Sequence, residues 1–239
     1  MLDRVYWKCR WSILNRIPFV LSFLRLVPGL RHTVVSRKTD LLIEGYPRSG
    51  NTFARNAFLL ACDGRFSVTS HLHLISSVRK AMRLNKPILI LIRRPVDAVC
   101  SFLVYKGEHF PVEQALSEYI DFYRYVHEHR DSMVVASFDE VTASFGQVVE
   151  RVNLRFKTAF PLFEHTPENV QQCIQMTHDQ VSPWPADRGK WSETRKRSAP
   201  SSGRDALKQQ ARDELMHMKN QEMLQQAEGL YAMLTEAAG

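Results

Sequence analysis

Gly45-Tyr46-Pro47-Arg48-Ser49-Gly50-Asn51-Thr52 satisfies a G-x-x-x-x-G spacing closed by a threonine. It follows the apolar run Leu41-Leu42-Ile43 and precedes Asn51 to Ala61, where Phe53, Ala57, Phe58, Leu60 and Ala61 recur at helical spacing. Strand, tight loop and helix in that order gather free backbone N–H groups and the positive end of a helix dipole around an anion. Gly50 allows the backbone to approach such a group closely. The spacing predicts a phosphate cradle.

The lysine that clamps phosphates in ATP-hydrolysing loops of this kind is missing: Asn51 holds its place, and the basic residue comes earlier, at Arg48. A second buried strand, Pro87 to Ile92, ends in Arg93-Arg94, where nucleotide hydrolases often carry an aspartate for Mg²⁺. A cation stands where a metal ligand would, so no metal is expected. Asp139-Glu140, after a third apolar run from Met133 to Phe138, reads as a solvated or helix-capping pair.

With both motifs in hand, Tyr46 to Phe53 resembles the 5′-phosphosulfate loop of PAPS-dependent sulfotransferases, commonly Y-P-K-S-G-T-T-W. Arg93-Arg94-Pro95-Val96-Asp97, followed by Ser101, resembles that family's 3′-phosphate motif, and Ser137-Phe138-Asp139-Glu140-Val141 is similar to its strand ending in an aromatic-acidic pair. The likeness runs from about residue 40 to 157. It implies a P-loop-like sulfotransferase fold, a three-layer α/β/α domain on a central parallel sheet. It also implies sulfuryl transfer from 3′-phosphoadenosine 5′-phosphosulfate (PAPS) to an acceptor hydroxyl or amine, without metal, leaving PAP as product.

The resemblance also assigns roles. Arg48, in the place of the usual lysine, would contact the 5′-phosphate and bridging oxygen and stabilise the charge that grows there. Arginine brings a planar fork in place of a point charge. Ser49, Gly50, Asn51 and Thr52 would wrap the 5′-phosphate, and Phe53 would either stack on adenine or serve as a core aromatic. Arg93 and Ser101 would bind the 3′-phosphate, with Asp97 capping or orienting. Arg188, in Arg188-Gly189-Lys190-Trp191, is a candidate for the family's basic loop over the same phosphate, or for an ordinary basic loop.

The family's general base is a histidine between the two motifs, and Ser70-His71-Leu72-His73 is the place for it, with Thr69 where the family has lysine. His71, 22 residues before Arg93, is the preferred base. His73 is the alternative, since residues two apart in an extended segment point the same way.

The elements that must position these residues alternate. Ile75 to Arg83, Val96 to Tyr105, Val112 to His127 and Gln147 to Phe156 read as helices between the apolar strands, which predicts an α/β class with a parallel sheet covered on both faces. The 239 residues suit one domain: an extension at 1–38, a nucleotide-binding core at 39–165, a variable, cofactor-covering loop region at 166–204, and one closing helix at 205–237. Apolar residues at 44% and charged residues at 24% are those of an ordinary globular protein.

The net charge of +7 calls for an anionic partner, and its scatter along the chain argues against nucleic acid. Cys9, Cys62, Cys100 and Cys173 have neither disulfide nor zinc spacing, so a reducing, cytoplasmic setting is expected. Ile17 to Leu30 is interrupted by Pro18, Arg25 and Pro28 and is too short to span a bilayer. Residues 1–31, with arginines flanking aromatic and aliphatic side chains, suit either packing on the domain or peripheral membrane contact. The acceptor, a small molecule, glycan or lipid, would meet the loops Tyr105 to Val112 and Thr166 to Gly203. Two other readings stay open: a small-molecule kinase with an atypical loop, and a non-catalytic PAP-binding module.

Overall fold

The computed structural model describes residues 33–107, 110–179 and 202–236, together with Ser12, Ile13, Asn15 and Leu21. The chain runs β1 (Leu41–Gly45), α1 (Asn51–Cys62), β2 (Val68–Ser70), α2 (Ile75–Arg83), β3 (Ile88–Ile92), α3 (Pro95–Lys106) and α4 (Val112–Glu128). It continues through β4 (Val134–Ser137), α5 (Phe138–Phe156), α6 (Pro167–Asp179), α7 (Ser202–Leu215) and α8 (Gln221–Glu236).

The four strands pair in parallel in the order β2-β1-β3-β4. Every residue of β1 and β3 is buried, so helices must cover both faces. Side-chain alternation divides the two covers. Leu41, Ile43, Leu89, Leu91 and Ala136 share a core with α1, α5 and α6, whereas Leu42, Ile88, Ile90 and Ile92 share one with α2, α3, α4, α7 and α8. This is the α/β class, with a central parallel sheet between two helical layers.

Strand order also dictates where a ligand meets the sheet. β1 and β3 are neighbours, yet β1 feeds α1 on one face and β3 feeds α3 on the other. Connections that diverge in this way leave a crevice at the carboxyl ends of the two strands. Both sequence motifs, the loop after Gly45 and the arginines after Ile92, open onto that crevice.

Three stretches differ from the sequence reading. The region after Thr166 is not irregular throughout: α6 forms because Pro167 suits a first helical position and the Thr166 hydroxyl accepts the Asn169 N–H at 3.2 Å. Asn56 of α1 grips it, donating to the Cys173 carbonyl and the Thr177 hydroxyl, each at 3.1 Å. The single closing helix is two, because His217 takes an extended conformation (φ −61°, ψ 144°) and the buried Asn220 donates to the Glu214 carbonyl at 2.8 Å. α5 begins nine residues earlier than its apolar spacing suggested, at Phe138, because Ser137 and Glu140 form a capping box, and it is bent at Ser144 (φ −155°, ψ 56°).

Of the N-terminal extension, Leu21 is buried against Val34, Leu72 and Leu74, and the Asn15 carbonyl accepts from Arg79 of α2 at 3.3 Å. Apart from Leu21, Asn15, Ser12 and Ile13, residues 1–31 lie outside the described residues. Among those described, no helix is long and apolar enough to cross a membrane.

Candidate functional site

The loop after β1 is held from below by one phenol. Tyr123 of α4 accepts the Tyr46 N–H at 3.1 Å, lies 3.3 Å from the Ser49 hydroxyl, and donates to the Leu91 carbonyl of β3 at 2.7 Å. Burial pushes the Tyr123 hydroxyl pKa up, so the group stays protonated and remains a donor. Tyr46 is itself buried and donates to the Ala115 carbonyl at 3.2 Å, while Asn51 Nδ2 donates to the Tyr46 carbonyl at 3.2 Å. The buried Asn51 Oδ1 has no hydrogen-bond partner among the described residues.

Two positions of the loop are left-handed, Arg48 at φ 70° and Gly50 at φ 95°. Gly50 is the N-cap of α1 and makes no side-chain cap bond, so the first N–H groups of α1 are not capped by a side chain. A Cβ at Gly50 would stand 3.2 Å from the Phe138 ring. That ring carries the Arg93 guanidinium 4.1 Å above its centre, and Arg93 donates in turn to the Arg48 carbonyl at 3.2 Å. Arg48 Nε donates to the buried Ser101 hydroxyl at 3.1 Å. Both sequence motifs therefore meet in one constellation.

Their meeting point is a cavity of about 330 Å³ lined by Arg48, Arg93, Val96, Asp97, Cys100, Ser101, Lys208, Gln209 and Arg212. Four cations face one carboxylate. Asp97 lies in the first turn of α3, where the helix dipole favours it, but it does not cap: Arg94 is the N-cap and makes no side-chain cap bond. Lys208 and Arg212 come from α7 and had no part in the sequence reading. Their four-residue separation places both on one helix face, and that spacing was visible in the sequence. Arg188, read there as the basic residue over the same region, lies outside the described residues.

Phe53 packs edge-on against Phe163, with ring centres 6.3 Å apart, and joins the core beneath α1. The ring is half-buried there, with the His165 ring centre 6.1 Å away. Asp139 and Glu140 lie in the first turn of α5, with Glu140 closing the capping box and pairing with Arg151 at 2.6 Å. Among the described residues, no three His, Cys, Asp or Glu side chains gather as metal ligands.

The histidine segment is not extended. His71 and His73 both adopt left-handed conformations, φ 74° and 56°, yet their rings are edge-on neighbours with centres 6.0 Å apart. His71 Nε2 shares a hydrogen bond of 3.1 Å with the Thr52 hydroxyl on the first turn of α1, and Nδ1 shares one with the Ser70 hydroxyl. His73 Nδ1 donates to the Gly45 carbonyl at 2.7 Å. Burial, with the neighbouring His73 and Arg55, lowers the His71 pKa to about 3, so the imidazole is neutral at physiological pH.

Under this segment lies Glu44, which the sequence reading passed over as part of an apolar strand. It is fully buried, and its two oxygens accept the Leu72 and His73 N–H groups, each at 3.0 Å. Burial pushes its pKa up to about 8. A lone acid inside Leu41–Gly45 was the signal available, because a carboxyl is not buried there without partners.

Neither protein-family models nor curated proteins give a match to this chain. Among solved structures, mouse sulfotransferase SULT7A1 complexed with PAP is similar at 10% identity and a TM-score of 0.42, over 82% of this chain and 91% of that one.

Proposed function

We propose that the chain is a sulfotransferase that takes a sulfuryl group from PAPS and passes it to an acceptor hydroxyl or amine. The observation that carries this reading is the single cavity in which Arg48 of the loop, Arg93 and Ser101 of the second motif, and Lys208 and Arg212 of α7 converge. Four cations around one acid suit a ligand with two separate phosphates, and loop, strand end and helix each supply part of the charge.

In this reading Arg93, Ser101, Lys208 and Arg212 receive the 3′-phosphate, and the N–H groups of Ser49 to Thr52 receive the 5′-phosphate. The acceptor oxygen forms its bond to sulfur as the sulfur bond to the bridging oxygen breaks. The electron pair of that bond goes to the 5′-phosphate, where Arg48 stabilises it, and the acceptor proton goes to His71 Nε2. The Thr52 hydroxyl, now shared with that nitrogen, turns to the phosphate when the donor binds and leaves Nε2 to the acceptor. The donor's negative charge raises the low His71 pKa towards the range in which an imidazole serves as a base.

The test is a screen of hydroxyl and amine acceptors with radiolabelled PAPS. Labelled product is expected from the native chain, and His71→Ala is expected to lose about 10²- to 10⁴-fold in rate while still binding PAP. Full turnover by His71→Ala would remove the base assignment. Magnesium-dependent ATP turnover without PAP binding would replace the reading with that of a kinase.

A further inference from the structure

The face of β1 that carries Leu42 turns into the core with α2, and Glu44, two residues on, lies on the same side. A carboxyl there is removed from water on every side, which is unfavourable unless its oxygens are bonded. Both are: Oε1 accepts the Leu72 N–H and Oε2 the His73 N–H, with His73 Nδ1 a further 3.7 Å from Oε2. The chain segment so gripped has two non-glycine residues at positive φ, a conformation that persists only when its surroundings impose it.

The histidine segment is thereby tied at three places. Glu44 holds its backbone, the Gly45 carbonyl holds the His73 ring, and the Thr52 hydroxyl meets the His71 ring. Two of these three partners are the last residues of β1 and the third is on the first turn of α1. Strand end, phosphate loop and histidine segment thus form one clamped unit.

We propose that Glu44 is a positioning residue: its bonds to the Leu72 and His73 N–H groups fix the two peptides after His71 so that the His71 imidazole stands against Thr52 at the mouth of the phosphate loop. The proposal rests on the sulfotransferase reading only for the use to which His71 is put. The segment's geometry stands apart from it. Groups facing the segment that titrate or carry charge are Glu44 from β1, Arg55 from α1, and the two histidines themselves.

The experiment follows the histidine ring signals by NMR as pH is lowered, in the native chain and in Glu44→Gln, with PAP affinity measured on both. Glutamine keeps the size of the side chain but puts an NH₂ donor where one of the two accepting oxygens stood, so one of the two N–H groups then faces a donor. In the native chain the His71 ring stays neutral well below the ordinary range, towards a pKa of about 3. In Glu44→Gln its titration moves up towards the unperturbed value of about 6.5 as the half-buried ring leaves its place against Thr52.

A His71 titration identical in both proteins overturns the proposal. If Glu44→Gln does not fold, hydrogen exchange on the native chain decides instead: slow exchange of the Leu72 and His73 amides supports the grip, and exchange at the rate of exposed loop amides overturns it. Absence of PAP binding in both proteins would count against the sulfotransferase reading and leave the His71 readout intact. The two failures are therefore distinguishable.

Discussion

Replacing Tyr123 by phenylalanine removes one oxygen and leaves the ring, so any change reports on the hydroxyl. That oxygen accepts the Tyr46 N–H at 3.1 Å, donates to the Leu91 carbonyl at 2.7 Å, and lies 3.3 Å from the Ser49 hydroxyl. Tyr46 is fully buried, so its amide has no water to turn to. An orphaned buried amide costs about 1–3 kcal/mol, and the lost bond to Leu91 adds about 1 kcal/mol. The expected destabilisation is therefore about 2–4 kcal/mol, read as a lower urea midpoint with an unchanged slope. PAP affinity should fall as well, because the loop from Tyr46 to Ser49 loses its prop. A stability loss below about 0.5 kcal/mol would refute the idea that this phenol holds the loop.

Gly50→Ala forces a side chain onto a residue at φ 95° with the Phe138 ring 3.2 Å away; a loss of about 1–3 kcal/mol in urea unfolding is expected, and native stability would contradict the geometry. Lys208→Ala and Arg212→Ala should each weaken PAP binding about tenfold by calorimetry, with ADP affinity little changed, if α7 attends the 3′-phosphate. Stability against pH has two opposed contributions. Glu44, with its folded pKa raised to about 8 from 4.5, contributes stability that is full below 4.5 and declines as pH rises to about 8. His71, with its folded pKa lowered to about 3 from 6.5, contributes stability present above 6.5 and lost as pH falls to about 3. The two slopes cancel between about 4.5 and 6.5, so denaturation midpoints should fall above that window. Glu44→Gln should abolish the fall.

What the sequence made legible was whatever rests on local pattern. The apolar runs at Leu41 and Ile88 announced buried parallel strands, and Gly50 and Pro95 marked the turns that follow them, so Arg48, Arg93 and Ser101 were identified before their contacts were known. Long-range pairing was not legible. Tyr123 read as one apolar position among several on α4, and its reach to Tyr46, 77 residues away in the chain, follows only from the packing of α4 under β1. Lys208 and Arg212 drew no attention in the sequence, because nothing local says that α7 lies beside α3. The left-handed backbone at His71 and His73 was not legible for a related reason: the Leu72 and His73 amides bond to Glu44, 27 positions earlier than His71, and nothing in the segment's own composition announces it.

The central claim, that the loop and the second arginine motif build one site for a nucleotide with both a 3′- and a 5′-phosphate, is tested most directly by calorimetric titration of the native chain with PAP and with ADP. One PAP bound per chain, at least about 30-fold tighter than ADP, is the predicted result, a preference of about 2 kcal/mol. Equal affinities, or no PAP binding, would contradict it.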